Sequence, residues 1–191
     1  MKRLTTIFVL TLAVILCACA GNKGGQESAQ QRNSENMNKK TLVVYFSATG
    51  TTKAAAEKLA EVVGGNLHEI QPEQPYTDAD LDWQDQQSRS SLEMKDKSSR
   101  PAIKNKVENM DQYDTVYIGF PIWWYIAPTI VNTFVEQYNF EGKTVVPFFT
   151  SGGSGKGKTL DYLKPSAPKA NWKEPINLTG KSKGEIEKLV K

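Results

Sequence analysis

The chain has 191 residues and only two cysteines, Cys17 and Cys19, both close to its start. Past Cys19 there is no thiol, so that stretch holds no disulfide, no cysteine nucleophile and no cysteine-based metal site. Histidine is nearly as scarce, with His68 standing alone. A histidine cluster for zinc is thereby excluded, and a Ser-His-Asp hydrolase would have to use His68 as its base. An excess of charge is lacking too. From residue 38 on, 20 Lys and Arg face 19 Asp and Glu. A nearly neutral domain, with no basic stripe interleaved with aromatics, gives no basis for nucleic-acid binding. The apolar run Leu4–Leu16 (LTTIFVLTLAVIL) is too short to span a bilayer as a stable helix.

That run does have a layout of its own. Met1-Lys2-Arg3 supplies a short basic start, and the apolar stretch follows as in a secretory signal. It ends in Leu16-Cys17-Ala18-Cys19, which resembles the lipobox of bacterial lipoproteins, with small Ala20 and Gly21 behind it. The resemblance implies cleavage after Ala18 and lipidation of Cys19; an ordinary signal peptide with a chance cysteine is the alternative. A diacylglycerol thioether plus an amide-linked acyl chain suffices for stable anchoring. Gly21–Lys39 (GNKGGQESAQQRNSENMNK) has no aromatic and almost no apolar residue, and reads as a tether. The expected organisation is a signal over residues 1–18, a tether over 19–39 and one folded domain over 40–191, held outside the cytoplasm at a membrane.

Within the domain, buried runs alternate with helical patterns. Thr41–Phe46 (TLVVYF), Thr115–Phe120 (TVYIGF) and Lys143–Phe149 (KTVVPFF) are the continuous β-branched and aromatic runs of strands buried on both faces. Asn66–Ile70 reads as a second strand and Trp172–Leu178 as a fifth, with Pro175 marking an edge. Lys53–Val63, Thr129–Tyr138 and Gly184–Val190 carry apolar residues at helical spacing. Gln71–Arg100 is a long polar excursion, with one surface helix expected inside Asp78–Lys97. Strand–helix alternation predicts an α/β fold with a five-stranded parallel sheet between helical layers. Ligands of such sheets sit at the carboxyl ends of the strands. The informative loops are therefore those after strands one, three and four.

The first of these, Ser47-Ala48-Thr49-Gly50-Thr51-Thr52, puts four hydroxyls and a run of backbone amides at a helix N-terminus. Amides and helix dipole favour an anion there, and a single capping residue would not need four hydroxyls. No lysine lies within the loop to neutralise a triphosphate, so one phosphate is the natural guest. From Val43 to Ala56 the sequence resembles the flavodoxin FMN-phosphate signature, at Tyr45, Ser47, Gly50, Thr52 and Ala56 among other positions. The similarity extends over about Lys40 to Lys191. It implies a doubly wound α/β/α sandwich with strand order 2-1-3-4-5, and FMN phosphate held by Ser47, Thr49, Gly50, Thr51 and Thr52.

The loop after strand three, Gly119–Pro128 (GFPIWWYIAP), sets three consecutive aromatics between two prolines. Planar side chains at the mouth of a sheet suit a planar ligand, though a hydrophobic staple over the next helix would use them too. The string resembles the G-x-P-[IT]-[WY]-W loop of flavodoxin-like proteins and quinone reductases, which implies flavin contacts from Pro121, Ile122, Trp123 and Trp124. The loop after strand four is implied to close on the flavin's pyrimidine side through Ser151, Gly152, Gly153 and Ser154. That loop also satisfies G-x-x-x-x-G-K-[ST], the nucleotide-binding P-loop pattern, from Gly152 to Thr159. A P-loop, however, follows its domain's first strand, needs a later strand ending in Asp for Mg²⁺, and opens a full helix, whereas Pro165 cuts this one short.

The resemblance implies that FMN performs the chemistry while the protein positions it. No side chain is needed as a catalytic acid or base. One-electron flavodoxins are typically strongly acidic and carry a Gly beside the flavin N5. This domain is nearly neutral and Phe120–Pro128 contains no Gly. Both departures favour two-electron transfer, with a redox partner or a small-molecule acceptor such as a quinone. Localisation outside the cytoplasm, where nicotinamide cofactors are scarce, points instead to a membrane redox partner. A non-catalytic FMN electron shuttle is the alternative. Tyr76 and Trp83 either fold over the ligand or pin the excursion to the core.

Overall fold

A computed structural model of the chain describes residues Lys40–Lys191. The signal segment, Cys19 and the tether lie outside the described residues. Runs too apolar for any exposed setting form the centre of one parallel sheet. Its strands are β1 (Lys40–Tyr45), β2 (Asn66–Glu69), β3 (Tyr113–Pro121), β4 (Thr144–Thr150), β5 (Asn171–Trp172) and β6 (Ile176–Asn177). The order is β2-β1-β3-β4-β5, with β6 also on β4, and every pairing is parallel.

Both faces are covered, which is why the central runs do not alternate with polar residues. Helices α1 (Thr51–Val63) and α5 (Lys183–Val190) lie on one face. There Ala56, Leu59 and Ile186 pack with Val43, Tyr45, Tyr117 and Phe148. Helices α3 (Thr129–Glu136) and α4 (Thr159–Leu163) lie on the other. Ile130, Phe134 and Leu163 meet Leu42, Val44, Phe46, Val116 and Phe120 there. Complete burial of phenylalanines such as Phe120 and Phe148 contributes about 2–3 kcal/mol each. The fold is thus the three-layer sandwich with the expected strand order. Among the described residues, no helix is long and apolar enough to cross a membrane.

One expectation needs correction. The fifth strand is not continuous: Asn171–Trp172 and Ile176–Asn177 pair with β4 separately. Lys173 N–H still bonds the Val145 carbonyl at 2.8 Å, and pairing is lost across Glu174-Pro175, where proline has no N–H to donate. The one surface helix expected inside Asp78–Lys97 is α2 (Arg89–Lys95). Before and after it, aspartates take the backbone into tight turns. Asp82 accepts from Gln84 N–H, Asp85 from Gln87 N–H and Asp96 from Ser98 N–H. Such local side-chain acceptors compete with helix, and here they win.

His68 sits in β2, its ring 6.2 Å from that of Phe134. Burial holds its pKa below the usual 6.5, and the nearby Glu69 carboxylate offsets this only in part. The folded state resists a proton that the unfolded chain accepts. This contribution is therefore full above the unfolded pKa and is lost as pH falls below about 6.5. The lowered carboxylates Asp80, Asp96, Glu136 and Glu185 act later, because their ordinary values are 3.8 to 4.5. Urea unfolding should show a lower midpoint at about pH 5.5 than at about pH 7.5. His68→Gln should remove the difference; an undiminished difference would assign the titration to another group.

Candidate functional site

The three informative loops meet at one end of the sheet. β1 ends at Tyr45 and the chain turns through Ser47 to Gly50, which takes a left-handed φ of 88° and precedes α1. Ser47 Oγ accepts the Gly50 N–H at 3.1 Å, which fixes the turn. No side chain caps α1, and its first turn holds no acidic residue. The first helical bond runs from Ala54 N–H to the Gly50 carbonyl, so the amides of Thr51, Thr52 and Lys53 come before it. An uncapped first turn of this kind is an anion site.

The hydroxyls do not all serve that site. Thr52 is 1% exposed, and its Oγ1 lies 2.8 Å from Thr150 Oγ1, at the end of β4. It ties the first loop to the third, which leaves the hydroxyls of Ser47, Thr49 and Thr51 for a ligand. Thr150 was not singled out by the sequence. Its partner is 98 residues away, and no local pattern reports such a pair.

In the second loop, the Trp123 and Ile126 amides each bond the other's carbonyl, at 3.0 and 3.1 Å. Between them Trp124 and Tyr125 have φ of 45° and 66°. Two successive positive φ values define a tight turn normally made by Asn-Gly. Bulky aromatics there are strained, at about 1–3 kcal/mol per residue. Trp123 is held from behind. Its ring stands edge-on to Phe46 at 5.6 Å and to Tyr76 at 5.5 Å. Tyr76 is fixed in turn by the Arg89 guanidinium, 4.0 Å from its ring centroid, and by donating its hydroxyl to Glu93. Arg89 Nε closes the set at 2.6 Å from Glu93. Burial and the Glu93 carboxylate push the Tyr76 phenol well above its usual pKa, so it stays a donor. Tyr76 therefore pins the excursion to the core.

The third loop does not act as a P-loop. Thr159 is fully buried and donates its hydroxyl to the Lys156 carbonyl at 2.7 Å. The helix that follows is only Thr159–Leu163. Gly157 has its own reason to be glycine: φ is 52°, and a Cβ there would lie 1.9 Å from the Tyr125 carbonyl oxygen. The third loop thus packs directly against the strained turn. Lys156 forms an ion pair with Glu174. Lys158 lines a small surface cavity with Lys97, Tyr125 and Tyr162.

Together the loops enclose a cavity of about 310 Å³. It is lined by Ser47, Thr49, Thr51, Thr52, Pro121, Ile122, Trp123, Ser151 and Gly152, all expected, and by Ala48, Leu81 and Thr150. Gly50 shapes the turn beside it. Trp124 lines a neighbouring cavity instead. Gly153 and Ser154 line neither; Ser154 Oγ is 3.0 Å from Ser151 Oγ and braces it. Polar groups at one end and aromatics at the other suit a ligand with a phosphate tail and a flat apolar head.

Residues 40–191 match the flavodoxin family model. Solved structures are similar over most of the described chain. A candidate flavoprotein of Bacteroides eggerthii is 56% identical, covering 80% of this chain and 96% of its own, with a TM-score of 0.77. One from Bacteroides uniformis is 51% identical, covering 80% and 98%, also at 0.77. A Lactobacillus acidophilus flavoprotein in complex with FMN is 26% identical, covering 80% and 99%, at 0.62. No curated protein sequence matches.

Proposed function

The chain belongs to the flavodoxin family, and from that premise we propose that it is an FMN-dependent oxidoreductase held at a bacterial membrane by a lipid on Cys19. The observation that carries the cofactor is the uncapped, acid-free first turn of α1, opening into the cavity between the three loops. The amides of Thr51–Lys53 and the hydroxyls of Ser47, Thr49 and Thr51 would hold the FMN phosphate. Pro121, Ile122 and Trp123, with Ser151 and Gly152 opposite, would hold the rest. The FMN-bound Lactobacillus relative supports the same cofactor. Bound there, FMN supplies reversible hydride or electron transfer. The chain's residues supply orientation. Tyr76, Phe46 and the Thr52–Thr150 bond fix the walls, and no ionisable side chain lines the cavity to act as a proton donor.

A near-neutral charge and the Gly-free stretch Phe120–Pro128 support two-electron use over one-electron shuttling. Anaerobic reductive titration of the FMN-loaded protein should pass from the oxidised to the fully reduced spectrum directly. A large long-wavelength band at half-reduction would favour the shuttle. The anchor rests on Leu16-Cys17-Ala18-Cys19. Labelled palmitate should enter the expressed chain and be absent from Cys19→Ala; equal labelling of both would defeat the anchor.

A further inference from the structure

Helix α2 carries an ion pair in an order that the helix itself does not favour. Arg89 opens the helix, and Glu93 lies four residues on, toward its end. A cation at the N-terminus and an anion toward the C-terminus both oppose the helix dipole. At this spacing the acid-first order is the stabilising one. The pair is also enclosed. Its side chains are 23% and 14% exposed, less than in any other ion pair among the described residues. Partial burial of two charges costs desolvation that a short surface helix has no need to bear. The helix therefore does not explain why these two residues stand there.

What the pair holds is Tyr76. The Arg89 guanidinium lies 4.0 Å from the Tyr76 ring centroid. Glu93 Oε2 accepts the phenol proton at 2.5 Å. Arg89 Nη1 donates to the Gln74 carbonyl at 2.8 Å, two residues before Tyr76. One helix thus grips the ring face, the hydroxyl and the backbone of this segment. The Tyr76 ring in turn stands edge-on to Phe46 at 5.7 Å and to Trp123 at 5.5 Å. Of all these residues only Trp123 lines the cofactor cavity. The Trp123 backbone is already set by its two bonds to Ile126, so what the clamp fixes is the ring.

We propose that Arg89 and Glu93 are positioning residues for the cofactor's ring: through Tyr76 they hold the Trp123 ring preset for the flat end of FMN. The inference deepens the FMN reading and rests on it. Neither residue lines the cavity. A wall fixed before binding has less side-chain freedom to lose on binding, so loosening it weakens affinity without removing a contact. The phosphate end, at the first turn of α1, shares no residue with this clamp. Loosening the clamp therefore weakens FMN and riboflavin alike.

The test is fluorescence titration of FMN and of riboflavin into the full chain, beside urea unfolding of each variant. Arg89→Met should raise both Kd values about tenfold, the ordering cost of two released aromatic side chains. The ratio of the two should stay that of the parent. Arg89→Lys keeps a cation over the ring and loses the planar fork, so it should recover part of the loss for both flavins. Arg100→Met is the control. It breaks another ion pair of the excursion, made to Glu136 at 2.8 and 2.9 Å, away from the aromatic rings. It should lower the urea midpoint and leave both Kd values unchanged. An Arg89→Met Kd within twofold of the parent for either flavin would overturn the proposal. So would equal weakening in Arg100→Met, because general softening of the excursion would then suffice. Should Arg89→Met lose its cooperative unfolding, Glu93→Gln decides: it keeps an acceptor for Tyr76 and loses the charge, and should raise both Kd values about threefold. No change there would overturn the proposal as well. A parent chain that binds neither flavin would defeat the FMN reading and this proposal with it, whereas a parent that binds both beside unaffected variants defeats the proposal alone.

Discussion

Alanine at Gly119 should destabilise the protein by at least about 3 kcal/mol, the upper part of the range for overpacked cores. Gly119 lies in β3 between Tyr45 of β1 and Phe148 of β4. A Cβ there would come 2.1 Å from Phe148 Cζ and 2.4 Å from Cε2. Phe148 is itself fully buried, among residues that pack under α1 and α5. Its ring cannot leave without opening a void, and β3 cannot shift without breaking two parallel ladders. Urea unfolding of Gly119→Ala and of Gly119→Ala with Phe148→Leu separates the causes. The smaller, ringless leucine side chain should recover part of the loss, so the pair is non-additive. A single variant within about 1 kcal/mol of the parent would mean that the sheet yields more easily than this packing allows.

Riboflavin should bind at least a hundredfold more weakly than FMN. The two differ only in the phosphate, which is assigned to the first turn of α1. Two charge-assisted bonds from helix amides are together worth about 3 kcal/mol, and the dipole adds to them. Every 1.4 kcal/mol is about a factor of ten, so a hundredfold is the smallest outcome consistent with the assignment. Inserting aspartate at Thr51 should have the same sense, since its carboxylate would occupy the amides and repel phosphate. It should leave riboflavin affinity nearly unchanged. Equal affinity for FMN and riboflavin would move the phosphate away from this loop.

Much of this was legible in the sequence. Val43–Phe46, Val116–Phe120 and Val145–Phe149 are so evenly apolar that a doubly covered parallel sheet is the setting that suits them. The loop Ser47–Thr52 declared itself through hydroxyl density at a helix start. What escaped reading was tertiary. Thr150 matters through Thr52, and Leu81 through a fold of the excursion that brings it to the cavity. The turn at Trp124–Tyr125 was invisible because its residues are not turn formers. The excursion's polar residues permit helix over more of its length than the seven residues that form it. Asp82, Asp85 and Asp96 instead spend their carboxylates on turns. The P-loop pattern was matched by residues with other tasks, Gly157 making room for the Tyr125 carbonyl and Thr159 closing the loop on itself.

The central claim is that the cavity at the carboxyl end of the sheet holds FMN. Titrating FMN into the purified chain, with its fluorescence and its absorption near 450 nm followed together, measures this most directly. The account predicts saturable quenching at one FMN per chain and a structured absorption band that survives gel filtration, both reduced when Thr51 is replaced by aspartate. Free-flavin fluorescence that stays constant throughout the titration, with colourless protein eluting from the column, would contradict it.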